Sequence, residues 1–164
     1  MNRIPLPSGF LRGLALALFS AALASVSAAD VRGDVERIFE LNAKLKPGMS
    51  IEALNELLGP PEGEHRVSGT EELVRYSWLH GTMGIEIYCI RDAAYRVNIT
   101  LPLERERDVP RALDALMQRG RSQYGVMPAF DRVTGEYYWT GGGVRFGFLK
   151  YNSGTVRSSC SALP

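Results

Sequence analysis

Val74-Arg75-Tyr76-Ser77-Trp78, Ile85-Glu86-Ile87-Tyr88-Cys89 and Tyr95-Arg96-Val97-Asn98-Ile99-Thr100-Leu101 are the runs whose reading decides the fold. In each, every second side chain is apolar, the period of a strand with one face in a core. Gly81 lies in the first connection and Arg91-Asp92 in the second, both short enough for tight turns. The three runs predict an antiparallel meander that buries Tyr76, Trp78, Ile85, Ile87, Cys89, Tyr95, Val97, Ile99 and Leu101 on one side.

Upstream the period changes. Val31, Val35, Ile38, Phe39, Asn42 and Leu45 recur at spacings of three and four, with Arg32, Asp34, Glu36 and Arg37 on the other side, which predicts an amphipathic helix ended by Lys46-Pro47-Gly48. A shorter helix follows. Ser50 is placed to cap it, Glu52 suits its first turn, Ile51, Leu54, Leu57 and Leu58 form its apolar stripe, and Gly59-Pro60-Pro61 stop it. Downstream, Asp108-Val109-Pro110 opens a third helix with Leu113, Leu116 and Met117 inward and Gly120 at its end. Strands return at 136–140, 144–151 and 155–160, joined through Gly141-Gly142-Gly143 and Asn152-Ser153-Gly154.

The halves align at a constant offset of 61 residues: Gly59 with Gly120, Tyr76 with Tyr137, Trp78 with Trp139, Ile87 with Phe148, and Arg96 with Arg157. This register predicts an α+β fold of two tandem helix plus three-stranded antiparallel meander units, with helices packed on one face of the sheet or sheets. The units span residues 30–103 and 104–164 and pack as one compact domain.

The stretch Leu45 to Pro61, with Gly48-Met49-Ser50 and Leu57-Leu58-Gly59-Pro60, resembles the "GM(S/T)…LLG.P" signature of the SmpA/OmlA (BamE-like) lipoproteins of outer-membrane assembly. The tandem arrangement is also similar to the β-lactamase-inhibitor-protein-like architecture. The resemblance covers residues 31–101, and the remainder only through the repeat. It implies a protein–protein binding module. The lipid-modified cysteine of those lipoproteins has no counterpart, since Ala28-Ala29-Asp30 stands in its place, which implies a freely diffusing protein.

Residues 1–29 have the order of a cleavable secretory signal: basic Arg3 and Arg12, apolar Gly13 to Ala24, then small residues to Ala28 and Ala29. The apolar part is too short for a stable span, so the expected location is periplasmic or secreted. Loss of Arg3 and Arg12 lowers Lys+Arg from 19 to 17 against 18 Asp+Glu, a mature net charge of −1 that favours neither nucleic acid nor an anionic membrane. In that oxidising compartment Cys89 and Cys160, the only cysteines, read as one disulfide, with two buried thiols as the alternative.

Chemistry is harder to find. Glu62-Gly63-Glu64-His65 has no second histidine near it and His80 lies beside a turn glycine, so neither makes a metal site or a catalytic base. Gly141-Gly142-Gly143 joins two strands and opens no helix, which excludes a phosphate loop. Glu104 to Asp108 is a mixed-charge run expected to be a solvated linker. Neither an enzyme nor a cofactor is indicated. The solvent face of the strands carries Arg75, Tyr88, Arg96, Tyr138, Arg145, Leu149, Tyr151 and Arg157. Tyrosine and arginine join a large apolar body to a polar end and commonly anchor interfaces. Tyr88, Arg96, Tyr138, Arg145, Tyr151 and Arg157 are therefore the expected contacts to an envelope or secreted protein partner. A small molecule or cell-wall fragment held in a groove between the units is the alternative.

Overall fold

The computed structural model describes residues 31–66 and 72–163; the proposed signal peptide lies outside them. Helix α1 covers residues 31–44 and buries Val35, Ile38, Phe39 and Leu41. Helix α2 is Ile51–Leu58, with the Ser50 hydroxyl accepting from the Ala53 N–H at 3.3 Å. Leu54 is buried in α2 while Leu57 faces solvent, so its apolar stripe is narrower than the spacing suggests. The Gly48-Met49-Ser50 stretch has a structural role: the Gly48 N–H donates to the Ala94 carbonyl and the Ala94 N–H donates to the Met49 carbonyl. This pair of bonds straps the α1–α2 connection to the start of a strand.

The strands are β1 (Gly63–Arg66), β2 (Leu73–His80), β3 (Met83–Ile90), β4 (Ala93–Pro102), β5 (Ala129–Asp131), β6 (Glu136–Gly141), β7 (Val144–Asn152) and β8 (Thr155–Ala162), with α3 (Val109–Tyr124) between β4 and β5. They form one eight-stranded antiparallel sheet in the order β1-β2-β3-β4-β8-β7-β6-β5.

This corrects the expected architecture. The described chain is mostly β, a single sheet with three helices, and not two tandem helix plus three-stranded units. Two strands had no periodic signal. β1 and β5, of 4 and 3 residues, are short, largely exposed edge strands formed because β2 and β6 offer unpaired backbone groups. The halves do not close separately either: β4 pairs with β8 from Arg96↔Ser161 to Pro102↔Thr155, fusing both meanders into one ladder.

All three helices lie on one face. Phe39 of α1 meets Phe146 at 5.1 Å between ring centroids, Trp139 lies against Gly120 of α3, and the Trp78 Nε1–H donates to the Gly59 carbonyl after α2 at 2.9 Å. Arg119 joins α3 to α1 through Glu36 at 2.8 Å and sits over the Phe39 ring. The core between helices and sheet includes Tyr76, Ile85, Ile87, Val97, Ile99, Leu101, Leu116, Phe148 and Val156.

Three further expectations change. Gly120 does not end α3, which runs to Tyr124 and is capped by Gly125 with φ 75°. Gly120 is glycine because an added Cβ would come within 2.2 Å of the Trp139 ring. The run from Glu104 to Asp108 is not purely a solvated linker, since Glu106–Asp108 form a 3₁₀ turn and Asp108 is buried. Tyr95 leaves the core side because the β3–β4 register shifts between Tyr88 and Cys89, turning it toward Tyr88 at 6.2 Å.

The disulfide is also corrected. Cys89 and Cys160 are buried free thiols. Cys89 pairs across β3–β4 with Ala94, and Cys160 pairs across β8–β4 with Val97, so the whole of β4 lies between them. Strands two apart are about 9.5 Å from each other, beyond the ~7 Å Cα separation that a disulfide spans. Burial pushes the Cys89 thiol up from 9.0 to about 11 and raises Cys160 in the same direction. Both thiols should therefore resist iodoacetamide in the folded protein and react only on unfolding. A folded pKa above the unfolded one contributes stability below pH 9 that is lost as pH rises toward 11. The melting temperature is expected to fall across that window, and rapid alkylation at pH 8 of either thiol in the folded state would contradict this placement.

Candidate functional site

The face opposite the helices is uncovered by any described element, and strand register sets what stands on it. Side chains of directly paired residues share a face, so one row reads Arg75, Tyr88, Arg96, Ser161, Arg145 and Thr140 across β2, β3, β4, β8, β7 and β6. The next row reads Ser77, Glu86, Asn98, Ser159, Gly147 and Tyr138. A third brings Leu79, Gly84, Thr100, Arg157 and Leu149 together.

Charges on this face are arranged in two clusters. Glu86 accepts from Arg75 at 3.4 Å through one carboxylate oxygen and faces Arg157 at 3.3 Å through the other. Arg157 also donates to the Thr100 hydroxyl at 3.2 Å, and its guanidinium lies 3.4 Å from the Tyr151 ring centroid. At this contact the ring face attracts the cation and restricts its rotamers. The second cluster centres on Glu136, buried at 6% exposure. Both Nε and Nη2 of Arg145 donate to its Oε2, at 3.2 and 2.7 Å, and the Ser159 hydroxyl donates to Oε1 at 2.5 Å. Arg145 further faces Asp131 at 3.6 Å and covers the Tyr138 ring at 3.8 Å. Asp131 lies below the usual carboxylate range because its oxygen accepts the Val133 and Thr134 N–H groups, with a smaller contribution from Arg145. Gly147 makes room for this cluster, since a Cβ there would stand 2.3 Å from Glu136 Oε1.

The second cluster forms one wall of a cavity of about 310 Å³ lined by Arg96, Asp131, Thr134, Glu136, Arg145, Leu149, Ser159 and Ser161. It adjoins the β4–β8 junction, where the sequence suggested a groove between units; the junction itself is a hydrogen-bonded strand pair.

All six expected contact residues stand on this face. Tyr88, Arg96 and Arg145 share one row, Arg157 lies beneath Tyr151, and Tyr138 lies beneath Arg145. Glu86, Glu136, Asp131 and Ser159 also shape the face and are not among the contacts expected from sequence, and Tyr95, expected in the core, turns toward Tyr88. Glu136 had a readable signal, because it precedes Tyr138 by two and so shares its face. Tyr95 had none, since the register shift that turns it arises from pairing. His65 and His80 are both exposed, at β1 and at the end of β2, and among the described residues no group of three or more His, Cys, Asp or Glu could hold a metal.

No family model, curated protein or solved structure matches the chain. The resemblance to the SmpA/OmlA family therefore rests on its sequence signature alone.

Proposed function

We propose that this chain is an exported binding module whose helix-free sheet face receives a protein partner, as an envelope-assembly accessory or as an inhibitor or immunity-type protein. The observation that carries the reading is the arrangement of tyrosines and arginines on that face. Arg157 and Arg145 are held against Tyr151 and Tyr138 at 3.4 and 3.8 Å, so these large side chains lose little freedom when a partner docks. Export is supported by the basic, apolar and small-residue order of residues 1–29. Protonated, buried thiols are compatible with an oxidising compartment because the nucleophilic thiolate is suppressed.

The test uses the chain from Asp30 onward as bait for an envelope extract, beside the Tyr151→Ala/Arg157→Ala variant. A stoichiometric protein retained by the first and lost by the second, at similar melting temperatures, is the expected outcome. Tyr151 is exposed, so its truncation removes contact area and not core. Equal retention by both would place the binding surface elsewhere.

A further inference from the structure

The arginine row is neutralised unevenly, and this points to the chemistry of the partner. Arg75, Arg96 and Arg145 stand in one row on β2, β4 and β7, each two strands from the next, about 9.5 Å apart. Arg145 is matched by Glu136 and Asp131, and Arg75 shares Glu86 with Arg157. Arg96 alone of the row has no carboxylate within ion-pair distance among the described residues. Its Nε donates to Asn98 Oδ1 at 3.0 Å, and Asn98 is itself 3% exposed. A rigid amide thus orients the guanidinium and leaves its remaining N–H groups uncommitted.

The surroundings favour an anion. On β2, β3, β4 and β8 the face carries Arg75, Arg96 and Arg157 against the single carboxylate of Glu86. The cavity that Arg96 itself lines also holds two carboxylates, and both are already committed: Glu136 to Arg145 and Ser159, Asp131 to Arg145 and two backbone N–H groups. Beside Arg96 stand Ser161, its register partner on β8 and a hydroxyl donor, and Tyr88, its register partner on β3. A guanidinium fork with a neighbouring hydroxyl suits a carboxylate, and the tyrosine supplies an apolar flank for its methylene stem.

We propose that Arg96, with Ser161 and Tyr88, receives an aspartate or glutamate side chain from an acidic segment of the partner protein. The assignment rests on the sheet face being the binding face, and its test separates the two. The ¹⁵N-labelled chain from Asp30 onward is titrated at low salt with a hexaglutamate peptide, with hexalysine and with free glutarate, following arginine Nε–H signals and the Ser161 and Tyr88 amides. The expected result is a shift of the Arg96 Nε–H and both amides with hexaglutamate only, weakened by salt. Arg96→Gln should raise the dissociation constant about tenfold, the loss of one charge-assisted bidentate contact, whereas Arg121→Gln on α3 should leave it unchanged. Arg96→Lys, which keeps the charge without the fork, should fall between them. Hexaglutamate shifts that are spread over helix-side arginines, or that persist in Arg96→Gln, would overturn the proposal. A response to glutarate as strong as to the peptide would overturn the protein-segment assignment in favour of a small acid. A captured partner that depends on Tyr151 and Arg157 but is indifferent to Arg96→Gln would overturn the acidic contact while leaving the binding face intact.

Discussion

Replacing Gly120 by alanine is expected to lower the melting temperature by roughly 6–12 °C, taking about 3 kcal/mol of overpacking at 2–4 °C per kcal/mol for a chain of this size. The new methyl would come 2.2 Å from one ring carbon of Trp139 and 2.7 Å from two others. That ring has nowhere to go. It stacks on Tyr124 and Phe146, lies 5.6 Å from Phe148, and its Nε1–H donates to the Val126 carbonyl at 2.9 Å. Moving it would break the bond and open space beside Phe148, so the alternative is for α3 to lift from the sheet. The gain of about 1 kcal/mol in helix propensity on replacing a mid-helix glycine by alanine works in the opposite direction and is smaller. Trp139→Leu should relieve the contact, so the double variant is expected to be more stable than the sum of the two single losses indicates. Thermal unfolding of the four proteins checks this. Additive losses, or a Gly120→Ala variant as stable as the parent, would mean that α3 does not press on Trp139 in solution.

Arg145→Ala is expected to cost about 2–4 kcal/mol, because it strips both charge-assisted bonds from a nearly buried carboxylate. Glu136 is 8% exposed at its side chain and Arg145 29%, so the penalty falls on the acid. Ser159 alone would remain on its Oε1. Glu136→Gln should cost less, since Arg145 keeps Asp131 and some access to water. The double variant should cost less than Arg145→Ala alone, as no uncompensated charge is left behind. Urea unfolding of the four proteins measures the coupling. If Arg145→Ala loses under about 1 kcal/mol, near the yield of an ordinary surface pair, the carboxylate reaches water and the cluster is not structural. The same cluster supports the tyrosine face, so Arg145→Ala should also mobilise Tyr138, visible in its ring resonances.

Much of the site could be read from alternation alone. Once Val97, Ile99 and Leu101 point to the core, Arg96, Asn98 and Thr100 must point away, and the same logic puts Arg145 and Arg157 on the far side of Phe146, Phe148, Val156 and Cys160. What alternation could not supply is who neighbours whom. That Ser161 lies between Arg96 and Arg145, or that Glu86 reaches both Arg75 and Arg157, follows from strand order and register. Register across β4–β8 joins residues about sixty positions apart and leaves no periodic trace.

The repeat is instructive in the same way. The two tryptophans at the 61-residue offset do share a role, each donating its Nε1–H to a backbone carbonyl at 2.9 Å, from Gly59 and from Val126. The two glycines at that offset do not: Gly59 ends α2, whereas Gly120 lies inside α3 beneath Trp139. A matching residue type can serve a turn in one place and a close contact in another.

By itself the sequence determined the long strands and their two faces, the apolar stripe of α1 and the capped ends of α2, because each of these is fixed by side chains a few residues apart. Tertiary structure decided the rest: the short edge strands β1 and β5, the joining of both halves through β4 and β8, the outward turn of Tyr95, the continuation of α3 through Gly120 and the separation of Cys89 from Cys160. Those outcomes depend on backbone hydrogen-bonding groups, which every residue type carries alike, and on the distance between strands that meet only after the chain has folded.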